Sequence, residues 1–101
     1  MEKEIIWTDL AKQDLRQAYE FNTDLMGEEN AFQLIENLVR KTEVLYNPIF
    51  GGTRYISQKT PEINYQKLVE GHFIIIYRQE GHLFYINRVF DTRQNPSKLD
   101  L

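Results

Sequence analysis

Two Gly-His dipeptides, Gly71-His72 and Gly81-His82, cut residues 65–96 into three short runs, and this punctuation constrains the fold more than any other part of the chain. Glycine at a tight turn allows the positive φ that joins adjacent antiparallel strands. Tyr65, Lys67 and Val69 alternate with Gln66, Leu68 and Glu70, as in a strand with two unlike faces. Phe73–Tyr77 is continuously apolar with isoleucines in the middle, which predicts a central strand covered on both sides. Leu83–Phe90 forms the third run. Strict alternation puts Phe84, Ile86, Arg88 and Phe90 on one face, and Leu83, Tyr85, Asn87 and Val89 on the other. If the first face meets helices, Arg88 is a buried arginine with Asp91 nearby as partner. If it is open, Arg88 belongs to a site.

The preceding residues supply that covering layer. Glu4–Trp7 is too short for a helix and reads as a first strand, with Thr8 or Asp9 as N-cap of a first helix. From Asp9 the period becomes helical: Ala11, Leu15, Ala18, Tyr19 and Leu25 form a stripe with Asn22 between them, and Gly27 is a left-handed stop. A second helix begins at Glu28-Glu29, where negative charge suits the helix dipole, and Asn47-Pro48 ends it. Its stripe is Ala31, Ile35, Leu38, Val39, Leu45 and Tyr46, widened by Phe32 and Leu34. Residues 47–63 read as a long loop with an extended piece around Tyr55-Ile56. The predicted architecture is α+β, in the order β-α-α-β-β-β: an antiparallel sheet with an N-terminal helical hairpin on one face.

The 101 residues make one domain. There is no cysteine, which removes disulfides and thiolate metal sites, and no metal or cofactor is expected. No apolar run approaches the roughly 20 residues of a membrane helix. The N-terminus Met-Glu-Lys-Glu-Ile-Ile-Trp does not resemble a secretory signal, so a cytoplasmic location is expected. Net charge is −3, split as −5 over residues 1–50 and +2 over residues 51–101. The cationic side chains able to face a phosphate or an acidic target are on the strand half: Arg54, Lys67, Arg78, Arg88, Arg93 and Lys98.

The β-α-α-β-β-β order at this length, the Tyr65–Arg78 strand pair, and above all Ile86-Asn87-Arg88-Val89-Phe90-Asp91-Thr92-Arg93-Gln94-Asn95-Pro96 resemble the RelE/ParE-type toxins of bacterial type II toxin–antitoxin systems. Pro48-Ile49-Phe50-Gly51 is similar to that family's Pro-x-x-Gly turn. The resemblance implies a growth-inhibiting toxin neutralised by a cognate antitoxin protein. RelE-like members cleave mRNA on the ribosome without a metal; ParE-like members poison DNA gyrase. It also implies candidate catalytic or phosphate-binding residues, with Lys67 where RelE-like enzymes place a sheet lysine and Arg93 near their C-terminal arginine. Arg88, Arg78 and Tyr65 are further candidates, and Arg54, Lys67, Arg78, Arg93 and Lys98 could hold a target.

Two departures favour the ParE-like branch. RelE-like nucleases carry a tyrosine or a histidine–tyrosine pair after the last strand, and residues 92–101 contain neither. Ile74 stands where they carry a phosphate-binding arginine. Tyr55, Tyr65, Tyr85, His72 or His82 would have to substitute as the proton donor, yet the histidines follow turn glycines and the tyrosines read as half-buried strand residues. A pI of about 5.3 also gives less phosphate affinity than ribosome binding draws on. The alternatives are a RelE-like ribosome-dependent endoribonuclease and an inactive member that only binds its antitoxin. Phe21, Phe32 and Leu34, off-centre in their helical stripes, are the candidate antitoxin contacts, in a groove for an amphipathic helix. The sheet edge could accept an added strand.

Overall fold

A computed structural model describes residues 2–47, 49, 51–99 and 101. Strand β1 (Glu4–Trp7) leads into helices α1 (Asp9–Met26) and α2 (Glu28–Thr42), and α2 tightens into a 3₁₀ turn at Glu43–Tyr46. Strands β2 (Thr53–Tyr55), β3 (Tyr65–Glu70), β4 (Phe73–Glu80) and β5 (Leu83–Asp91) follow, with a last 3₁₀ turn at Pro96–Lys98. The extended piece expected near Tyr55-Ile56 is β2, which ends at Tyr55 and leaves Ile56 outside the strand. The helix end at Asn47-Pro48 and the Pro-x-x-Gly turn involve Pro48 and Phe50, which lie outside the described residues.

The sheet order is β1-β5-β4-β3-β2, with the apolar run of β4 in the middle. The meander β2–β5 is antiparallel, but β1 lies parallel to β5, so the sheet is mixed rather than wholly antiparallel. A strand that pairs in parallel needs a long crossover, and the helical hairpin and meander provide it. Both Gly-His pairs are two-residue hairpin loops, with Gly71 at φ 58° and Gly81 at φ 59°. A glycine with positive φ at the first loop position is what a type II′ turn requires. Gly27 between the helices has φ 84° and ψ 162°, a conformation open to glycine alone, so the stop is not the left-handed helical one expected.

Thr8 is the joint between sheet and hairpin. It caps α1 by accepting from the Ala11 N–H at 3.2 Å, while its hydroxyl donates to the Ile86 carbonyl at 2.7 Å. A helix start and a strand position are thereby fixed by one side chain.

The core lies between the hairpin and one sheet face. Ala11, Leu38 and Leu45 meet Leu68, Phe73, Ile75, Tyr77, Phe84, Ile86 and Val89, with Ile5 and Trp7 against them. This set breaks the simple alternation of β5. Ile76 pairs with Arg88 but Tyr77 pairs with Ile86, leaving Asn87 as an extra residue in a bulge. Beyond the bulge the faces exchange, so Phe84, Ile86 and Val89 point at the helices while Arg88 and Phe90 point away. The grouping of Arg88 and Phe90 with Phe84 and Ile86 is therefore corrected. Leu25 also leaves the α1 stripe and is exposed.

One loop is held by contact with this core. The Gly52 N–H donates to the Tyr77 hydroxyl at 2.7 Å. Burial pushes the Tyr77 pKa up, and the Gly52 bond partly offsets that shift. A Cβ on Gly52 would lie 2.3 Å from the Lys67 carbonyl oxygen, which is backbone and cannot step aside. Gly52→Ala should therefore cost about 1–3 kcal/mol of stability, as overpacking does, read as a midpoint shift in thermal unfolding. Asp14→Ala, which removes a two-pronged acceptor from the mostly buried Arg88 guanidinium, should cost about 1.5–3 kcal/mol in the same measurement, the scale of hydrogen bonds to a charged group.

Candidate functional site

The register sets out the face opposite the helices. Thr53, Lys67, Ile76 and Arg88 lie in one row across β2, β3, β4 and β5. Adjacent strands are about 4.8 Å apart, so the Lys67 and Arg88 backbones are separated by about 10 Å. Arg78 and Tyr85 form a second row. Tyr65 and Phe90 share this face. The register places Lys67, Arg78, Arg88 and Tyr65 on one side of the sheet, but their surroundings differ.

Arg88 is held by Asp14 of α1. Its Nε donates to Oδ2 at 2.8 Å and its terminal NH2 group to Oδ1 at 3.1 Å, in a two-pronged pair. Oδ2 also accepts the Val89 backbone N–H at 2.9 Å. The carboxylate is that of Asp14, not Asp91, both side chains are largely buried, and the pair ties Arg88 round the sheet edge to a helix. Arg78 stacks on Tyr85, with Cζ 4.6 Å from the ring centroid, and pairs with Glu80. Tyr65 is buried. Lys67 is half-buried and has no carboxylate partner among the described residues. Arg54 alternates onto the helix side of the edge strand β2 and is exposed.

Arg93 stands apart from this face. It follows β5 and pairs with Asp91, donating from Nε at 3.0 Å and from its terminal NH2 group at 2.7 Å; its backbone N–H adds a third bond at 2.9 Å. It lines a cleft of about 280 Å³ between the hairpin and the β3–β4 turn, with Asn22, Leu34, His72 and Phe73. A second cleft of about 370 Å³ lies between α1 and the end of β5, lined by Asp14, Phe21, Phe90 and Lys98 among others. The two adjoin, since Asn22 and Phe73 line both. Phe21 and Leu34 therefore sit on neighbouring surfaces. Phe32 does not: it borders a shallow depression with Ile35 and Val39 elsewhere on α2. His72 and His82 occupy the turns.

Asp14, Ser57 and Gly52 carry roles in the structure that their local sequence does not announce. Asp14 looks like any polar helix residue, and only the mismatch between a four-residue β1 and a nine-residue β5 hints that the strand needs another edge partner.

The sequence signature of the ParE toxin of the type II toxin-antitoxin system, parDE, matches residues 5–96. The chain belongs to the ParE toxin family. A solved chain described as the chromosomal ParDE TA system from P. aeruginosa shares the fold, with TM-score 0.72 and 23% identity, covering 89% of this chain and 96% of that one. No curated protein matches. Among the described residues no helix is long and apolar enough to cross a membrane, and no cluster of three or more His, Asp or Glu could hold a metal ion.

Electrostatics at Asp91 make a pH-dependent strut. The Arg93 side-chain hydrogen bonds hold the Asp91 carboxyl below its usual range against the opposing effect of burial. A depressed carboxyl pKa stabilises the fold above the unfolded-chain value, and this is lost as pH falls through the folded-state value. Arg93 is half exposed, so the effect is modest. Chemical unfolding of Arg93→Gln should show a shallower loss of stability than the parent as pH falls below about 4, the ordinary range of a carboxyl.

Proposed function

We propose that this protein is the toxin of a ParDE-type pair, that it inhibits growth when free by acting on DNA gyrase, and that a cognate antitoxin neutralises it. The observation that carries this is the ParE signature over nearly the whole chain. The geometry supports the choice of branch. Cleaving RNA needs one group to take the 2′-hydroxyl proton and another to protonate the leaving oxygen. Lys67 has Thr53, Ile76 and Arg88 in its row, Tyr65 is buried, and Arg88 is committed to Asp14. This face is equipped to bind an acidic surface, not to move protons.

In this reading Lys67 and Arg78 contact the target, with Arg54 and Lys98 at the margins. Arg93 serves the adjoining clefts, where Phe21 and Leu34 receive the antitoxin. Induction without an antitoxin should produce filamentation, a DNA-damage response and stabilised gyrase cleavage complexes. Rapid loss of translation with transcripts cut on ribosomes would overturn the gyrase assignment. Absence of any growth effect, with antitoxin binding retained, would point to a binding-only member. Lys67→Ala and Arg78→Ala should weaken toxicity about tenfold each, the scale of one charge-assisted contact, while leaving the melting temperature close to the parent's. Measuring both quantities separates target binding from folding.

A further inference from the structure

The Arg78 guanidinium is held on two sides by groups of opposite character. On β4, Arg78 and Glu80 are two positions apart and so share the face opposite the helices. Across the ladder Arg78 pairs with Tyr85 and Glu80 with Leu83, and Tyr85 in turn lies beside Ile6 of β1. The guanidinium carbon stands 4.6 Å over the centre of the Tyr85 ring, a cation–π stack. From another side, a terminal nitrogen donates to a Glu80 carboxylate oxygen.

The two holds differ in strength and in what they leave open. Tyr85 is half-buried on a strand paired to neighbours on both sides, so its ring stays where it is. A ring stacked on the guanidinium plane uses none of the five N–H donors, which point outward in that plane. It also limits the orientations the side chain must give up on binding. Glu80 ends β4, and its side chain is 59% exposed against 33% for Arg78. An ion pair so open to water is screened and weak. The turn beside it is fixed by other bonds, Gln79 Nε2 to the Gly81 carbonyl at 2.9 Å and the Glu4 N–H to the His82 carbonyl at 2.9 Å. The Glu80 side chain can therefore swing away while those bonds stay made.

We propose that Tyr85 is a positioning residue for Arg78, and that Glu80 is an internal stand-in for a carboxylate of the target, displaced when the toxin binds. The inference rests on the reading that Arg78 contacts an acidic target. Tyr85 presents the guanidinium already oriented. Glu80 keeps its charge partnered in the free protein and lowers affinity by competing for the same N–H groups.

Growth inhibition on induction, compared at matched protein level, reads the contact whatever the target. Tyr85→Leu should weaken it about tenfold, as Arg78→Ala does, the loss of one charge-assisted contact, and Tyr85→Phe, which keeps the ring, should restore it. Glu80→Gln should strengthen it about two- to fivefold, the scale of an exposed ion pair. A Glu80 that served the fold alone would give no such gain. In the free protein the Arg78 Nε–H proton resonance should lie upfield in the parent, Tyr85→Phe and Glu80→Gln, and move downfield in Tyr85→Leu. If Arg78→Ala weakens growth inhibition while Tyr85→Leu or Glu80→Gln matches the parent, the proposal is overturned and the target contact stands. If Arg78→Ala matches the parent, or the parent does not inhibit growth, the reading of the site fails and the proposal with it. Binding of the parent to linear duplex DNA alone, lost in Arg78→Ala, would assign the displaced stand-in to a phosphate and overturn the carboxylate. Should Tyr85→Leu not fold, Glu80→Gln, at an exposed position outside the core, decides.

Discussion

The Asp14 carboxylate stands where a strand would otherwise have to stand. β1 accompanies β5 only from Leu83 to Ile86, and beyond that the chain has already turned into α1. A bare strand edge presents unpaired backbone groups that invite other chains. Thr8 closes the first part of the gap through Ile86 and Asn87, and Asp14 closes the next through Val89. The same carboxylate takes two hydrogen bonds from the largely buried Arg88 guanidinium. One helical turn thus seals the edge, neutralises a cation and fixes the distance between hairpin and sheet.

The bulge at Asn87 makes this arrangement possible. Without the extra residue Arg88 would point into the hairpin core beside Ile86. With it, the guanidinium leaves on the opposite face and reaches back round the edge to the helix. Among the described residues the buried Asn87 Oδ1 has no hydrogen-bond partner, the local cost of re-aiming the strand.

The element order, the hairpin and the three long strands were legible in the sequence because each follows from periodicity and turn glycines over short distances. The bulge was not legible: no glycine or proline marks it, and Asn87 looks like any alternating residue. That single insertion changed the face of Arg88. The cationic side chains could be named in advance, yet their availability depended on pairing: Arg88 with Asp14 across 74 positions, and Arg93 with Asp91 two residues away. Lys67 on a paired strand was placed correctly because β3 contains no irregularity. The bond from the Ser57 hydroxyl to the Leu101 carbonyl was not legible either, since its partners lie 44 positions apart and share no local pattern. The parallel place of β1 likewise depends on which edge of the meander lies open, which no stretch of sequence reveals.

That parallel strand also sets an order of events for the nascent chain. Thr8 and Ile86 are 78 positions apart, so the first strand to be made is among the last to find its partner. At roughly 5–20 residues per second, synthesis keeps β1 waiting for several seconds while the two helices, whose contacts are local, are already complete. Throughout that interval Ile5, Ile6 and Trp7 have no sheet to join. The tether from Thr8 into α1 keeps the waiting segment beside the hairpin, so that it meets β5 from a short distance.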